Sequence, residues 1–128
     1  MANECVPLFK PGQDISATAS AAVVGKRFVD WTAGFSLTVP STLPTVAHAT
    51  AAGKVAGVSV YDAASGSRVA VTRGKGAIVP VTAAGTVAVL AEVEVGTGGK
   101  AATFSAGVKV GRALSAGTTD ADMWIELY

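Results

Sequence analysis

Apolar and polar residues alternate with a period of two through most of this chain. From Ile15 the odd positions run Ile15, Ala17, Ala19, Ala21 and Val23, with Ser16, Thr18 and Ser20 between them. Alanine alone favours helix. Strict alternation with Ser and Thr instead puts one face toward a core and one toward water, the pattern of a half-buried strand. The same alternation predicts strands over residues 58–61, 69–73, 79–82, 108–110 and 124–128. The longest is expected over 87–95, where Val87, Val89, Ala91, Val93 and Val95 oppose Glu92 and Glu94. Pro80 has no N–H for a ladder, so its strand belongs at a sheet edge or a bulge.

Turn signals separate these runs: Ala33-Gly34, Ala52-Gly53-Lys54, Ser65-Gly66, Arg73-Gly74-Lys75-Gly76, Ala84-Gly85, Gly96–Lys100 and Ala116-Gly117. Short strands at such spacing read as an all-β, compact β-barrel or sandwich. Helix is expected only as a turn or two near residues 118–122, with Thr119 or Asp120 as cap. Residues 1–14 read differently. Pro7 and Pro11 bar a helix and favour extended backbone, so this segment is expected as an N-terminal arm, carrying Val6, Leu8 and Phe9. Residues 15–128 then form a single β domain, with a long loop over 36–45 around Pro40 and Pro44. Thr50–Ala56 and Thr82–Ala88 match at all but one position, which suggests one turn feeding one strand type twice.

Composition sharpens the picture of the core. Half of the 128 residues are apolar, but 25 are Ala and 19 are Val. Burial free energy follows apolar area at about 25 cal/mol per Å², and small side chains bury little. The 15 glycines add chain entropy that folding must overcome. A thin core predicts a molecule that gains from association with copies of itself or with a partner.

Charge and cysteine usage exclude several classes. Net charge is +1 and only 15% of residues are charged, with no Lys/Arg-rich face for nucleic acid. No stretch approaches the length of a membrane span. The opening Met1–Glu4 lacks a basic region followed by an apolar one, so no signal peptide is expected. Cys5 is the one cysteine, which fits synthesis in a reducing cytoplasm.

The catalytic inventory is short. His48, the one histidine, lies between Ala47 and Ala49 and reads as structural or surface. Cys5 and His48 share no metal-ligand spacing, and no metal or cofactor is expected. Asp120 and Asp122 would share a strand face but read as a solvated turn; Glu92 and Glu94 read as the wet face of a strand. Gly96–Ala101 fits the G-x-G-x-x-[GA] pattern, but strand rather than helix follows, so a hairpin turn is expected instead of a dinucleotide site. Arg73 and Lys75 place two cations on one turn. Trp124 is expected in the core; Phe28, Trp31 and Phe35 form a candidate subunit interface. Elimination favours a structural or binding role over an enzyme.

The run from Val6-Pro7-Leu8-Phe9-Lys10-Pro11 to Asp14, then Ala21–Val29, Ala52–Val58, Tyr61–Gly66, Ile78–Ala83, Glu92–Val95 and Ile125–Tyr128, resembles the decoration, or cement, proteins of tailed-phage capsids. These are small proteins encoded beside the major capsid protein. The resemblance implies a β-tulip-like fold with an extended N-terminal arm, and a non-enzymatic protein on the outer surface of the virion, made in the bacterial cytoplasm. It implies the major capsid protein as partner, a homotrimer, and an arm (Val6, Pro7, Leu8, Phe9, Lys10, Pro11) that binds the shell by strand addition. The alternative is a β-sandwich adhesion or carbohydrate-binding module displayed on a particle surface, for which Trp31 with Tyr61 is the available aromatic platform.

Overall fold

The computed structural model describes residues 4–6, 14–34, 38 and 43–128. Ten short strands carry the fold: β1 (Ile15–Ala19), β2 (Phe28–Ala33), β3 (Thr45–His48), β4 (Gly57–Ser59), β5 (Arg68–Thr72), β6 (Ile78–Thr82), β7 (Glu92–Val95), β8 (Ala101–Thr103), β9 (Gly111–Ala113) and β10 (Asp122–Leu127). The first five close into a barrel in the order β1-β3-β2-β4-β5, and the last five form a sheet in the order β6-β10-β9-β7-β8. The all-β expectation holds. Pro80 indeed lies on an edge strand, β6.

Small side chains suit the barrel. Five strands enclose less room than the eight that suffice for a packed side-chain interior. Ala17, Ala19, Val23, Val29, Val46, Ala63, Val69 and Val71 fill it. A second core lies between barrel and sheet. Phe28 and Val58 project into it from barrel strands, and Val79, Val81, Val93, Met123, Ile125 and Leu127 meet them from the sheet.

One corner recurs four times, over residues 19–26, 59–66, 83–90 and 113–120. Each begins on a buried small residue: Ala19, Ser59, Ala83 or Ala113. Each ends on a residue in the left-handed region: Lys26 (φ 60°), Gly66 (86°), Leu90 (69°) and Asp120 (62°). The corners interlock in pairs. The last residue's N–H donates to the first residue's carbonyl of the partner corner: Lys26 to Ser59, Gly66 to Ala19, Leu90 to Ala113 and Asp120 to Ala83, at 2.7–2.9 Å. At each pair's centre, Val23 bridges Ala63 and Val87 bridges Gly117. Barrel and sheet therefore each contain the same nearly two-fold device.

These corners correct several expectations. The alternation over 87–95 is broken: Val89 and Leu90 form a turn, and only Glu92–Val95 is strand. The left-handed backbone at Leu90 reverses the chain, so Val89 and Val93 do not share a face. Residues 118–122 hold no helix, because Asp120 takes that same left-handed position. Residues 15–23 end as strand at Ala19, where the first corner begins. The match between Thr50–Ala56 and Thr82–Ala88 is not a structural repeat. Gly53 N–H closes a tight turn on Thr50, whereas Ala83 pairs with Ala101 and opens a corner.

Candidate interaction surface

Cys5, within the segment expected as an arm, is fixed to the β domain. Cys5 is fully buried within the second core. Its N–H donates to Val60 O, and its thiol lies 3.6 Å from Pro80 O. Val6, the next residue, is 64% exposed. Pro7, Leu8, Phe9, Lys10 and Pro11 lie outside the described residues.

That attachment covers an edge. Ala77 and Ala83, flanking β6, bond Leu127 and Ala121, so the alternate positions 78, 80 and 82 face away from β10. Thr82 N–H donates to Lys26 O, Pro80 has no N–H, and its carbonyl meets Cys5. At the opposite edge, Ala84 N–H donates to Ala101 O of β8, and the Thr103 hydroxyl donates to Thr86 O at 3.2 Å.

Of the candidate interface aromatics, Phe28 is 0% exposed and belongs to the barrel–sheet core. The position is corrected to a core residue: barrel strand β2 turns this side chain toward the sheet, away from any neighbour. Trp31 is half-buried and packs against the barrel core, as does Tyr61. Phe35 lies outside the described residues. Trp124, expected in the core, alternates with buried Met123 and Ile125 and so occupies the outer face of the sheet.

Charged groups join barrel to sheet. Lys26 Nζ donates to Asp122 Oδ2 at 2.6 Å, and the Thr82 hydroxyl donates to Asp122 Oδ1 at 2.9 Å. Arg27 reaches Gly98 O at 3.3 Å, while Lys100 pairs with Asp120. The two aspartates thus serve separate lysines and do not act as a carboxylate pair. Desolvation pushes the Asp122 carboxyl up, but hydrogen bonds from Lys26 and Thr82, with the charges of Lys26 and Arg27, hold it below its ordinary value. Asp120 is held low chiefly by Lys100.

His48 is structural, as expected. Its Nε2 accepts a hydrogen bond from Val24 N–H at 3.0 Å, so that nitrogen is unprotonated. Burial and then the Arg27 guanidinium hold its pKa below the ordinary value, against a raising contribution from the Val24 backbone. Gly96–Ala101 is the expected hairpin between β7 and β8. A Cβ on Gly99 would stand 2.6 Å from Phe28 O, so the hairpin tip packs directly on barrel backbone.

On the outer face of the sheet, Lys109 pairs with Glu92 at 3.0 Å and lies 5.1 Å from the Phe104 ring centre. The Tyr128 hydroxyl donates to Glu92 at 2.9 Å, and Arg112 pairs with Glu126. Lys109 and then Tyr128, by hydrogen bonding, lower the Glu92 pKa. Desolvation and then Glu92 raise that of Tyr128. Glu92 therefore lies on the wet face, as its alternation predicted. Among the described residues the exposed large apolar ones are Val6, Val89, Leu90, Val108 and Tyr128. Among the described residues no three His, Cys, Asp or Glu side chains gather to hold a metal ion, and no helix is long and apolar enough to cross a membrane.

No protein-family model matches the chain, and no curated protein matches its sequence. Its fold is similar to the N base of the head fiber protein gp8.5 of bacteriophage phi29. The TM-score is 0.75 at 18% sequence identity, over 90% of this chain and 92% of that one.

Proposed function

We propose that this chain is a capsid decoration (cement) protein of a tailed phage, which binds the outer surface of the assembled shell and bridges neighbouring capsomers. The observation that carries this reading is the likeness of its fold, along nearly the whole of both chains, to the base of a phage head fiber. The sequence resemblance to decoration proteins, which lies in the order and spacing of the runs from Val6 to Tyr128, points the same way. The core supports it too: built mostly of Ala and Val, it leaves stability to be gained by association.

In this reading the chain acts as a homotrimer at three-fold positions of the shell. Cys5 holds the root of the arm, and residues 6–11 make the shell contacts. Many copies on one particle let individually weak contacts add. The aromatic pair that a carbohydrate-binding module would need, Trp31 and Tyr61, instead packs against the barrel core.

The test is to mix the purified full chain with expanded shells of its own phage and with free capsid protein. Co-sedimentation with shells that saturates at a fixed copy number, with added density on the outside of the particle, is the expected result. A chain that stays in the supernatant with intact shells overturns the reading.

A further inference from the structure

A shallow cleft of about 210 Å³ opens at the end of the molecule where β10 finishes and β6 begins. Val55, Val110 and Leu127 line it, and the last two are almost wholly buried, forming an apolar floor. The Tyr128 side chain, 49% exposed, and the turn carrying Arg73 and Lys75 form its walls. Val108, another of the exposed apolar residues, lies two residues from Val110.

The charge at this end is not neutralised. Lys26, Lys100, Lys109 and Arg112 each have a carboxylate within ion-pair distance. Among the described residues Arg73 and Lys75 have none, although both are exposed. Lys54, also exposed and without such a partner, precedes Val55 in the chain. Glycines on both sides of Lys75, Gly74 (φ 113°) and Gly76 (φ 88°), set the turn that carries the two cations. Its far side is anchored by Gly76 N–H, which donates to Leu127 O at 2.8 Å. Two cations are thus held beside an apolar floor and an aromatic ring, and Arg and Tyr are the residue types that dominate binding energy at protein interfaces.

We propose that this cleft docks an extended acidic segment of a partner protein, one aliphatic side chain lying over Val55, Val110 and Leu127 while flanking carboxylates meet Arg73 and Lys75. The volume suits one such side chain, and the two cations favour carboxylates over amines around it. This goes beyond shell binding and does not depend on it.

The test is titration of the isotope-labelled full chain, followed by NMR, with the capped pentapeptide Glu-Glu-Leu-Glu-Glu. Controls are the same peptide with Lys for Glu, the same with Ser for Leu, and inorganic phosphate. Saturable shifts are expected at residues 54–57, 73–76, 110 and 128, with weaker binding of the Ser peptide. The Arg73→Glu/Lys75→Glu variant, folded because both side chains are exposed, should bind about ten-fold more weakly or worse, the equivalent of roughly 1.4 kcal/mol. Three results would overturn the proposal: shifts absent or scattered; binding unchanged by charge reversal; or an equal response to phosphate or the Ser peptide, which would leave charge alone in play.

Discussion

Val87 and Gly117 exchange a pair of backbone hydrogen bonds, 3.0 and 2.8 Å long, at the centre of the near two-fold in the second sheet. A Cβ built on Gly117 would stand 2.5 Å from Met123 Sδ and 3.2 Å from the Cβ atoms of both Ala83 and Val87. The crossing is therefore full, while the matching position in the barrel, Ala63, has room for its methyl group. Overfilling a packed site costs about 1–3 kcal/mol. Gly117→Ala should lower stability by about 1 kcal/mol and Gly117→Val by about 3 kcal/mol, read from denaturant midpoints at unchanged slope. Equal stability of Gly117→Val and the parent would show that the crossing can open without cost.

Leu90 makes the opposite prediction. It occupies a left-handed position (φ 69°) while 61% exposed, a backbone conformation costing a branched residue about 1–2 kcal/mol. Lys26 fills the corresponding place in the barrel, and a glycine, Gly66, closes the corner paired with it. Leu90→Gly should stabilise the protein by about 0.5 kcal/mol, after allowing for the extra freedom glycine has in the unfolded chain. A loss of 1 kcal/mol or more would mean that the leucine side chain contributes packing that offsets its strain.

Two steps in stability are expected on acidification. His48 has a folded pKa below its ordinary 6.5. The unfolded chain then binds the proton more readily, and stability falls as pH drops below that value. Asp122 has a folded pKa below its ordinary 3.8. Its contribution is present above 3.8 and is lost as pH falls further, through the folded value. Both groups keep substantial access to water, so each step should stay under about 1 kcal/mol. Denaturant midpoints across the acid range should show the upper step vanish in His48→Gln and the lower one shrink in Asp122→Asn, with the remainder from Asp120 and Glu92, which are also held low. Variants that track the parent at every pH would assign the steps to other groups.

Cys5 reports on how firmly the chain ahead of β1 is held to the domain. Because it is fully buried, a thiol reagent should modify it about a hundred-fold more slowly in the native chain than in denaturant, reaction requiring local opening. Native labelling at the denatured rate would mean that this attachment is loose. Cys5→Ala should keep the fold, since Val60 O is met by the backbone N–H rather than the thiol.

The period-two pattern made the strands near 15–19, 69–72, 79–82 and 124–127 legible, because each places one side on a core. Phe28–Ala33 and Thr45–His48 were not legible as strands: Phe28 and Val29 are buried side by side, which breaks the alternation, and the four residues Thr45–His48, with Val46 alone fully buried, are too short to show a period. The corners were less visible still. Aligned, ASAAVVGK, SVYDAASG, AAGTVAVL and ALSAGTTD share little beyond a small first residue. The geometry asks only for a narrow entry, a slim crossing and tolerance of left-handed backbone, and many sequences meet those demands. In the candidate surface, the cations Arg73 and Lys75 could be read directly, as two charges on one turn. The apolar floor beneath them could not, because Val55, Val110 and Leu127 come from three distant segments. Phe28 was misassigned because sequence does not say which side of a barrel wall a side chain leaves from.

The covered flanks of β6 and β8 bear on how such molecules can crowd together. Main-chain groups at an open flank recruit any passing strand, and at high local density that leads to ribbons of indefinite length. Here Cys5 meets Pro80 O, Lys26 O meets Thr82 N–H and Ala84 N–H meets Ala101 O, so each flank is partly occupied. Strand-to-strand pairing between two copies is therefore hindered at both flanks.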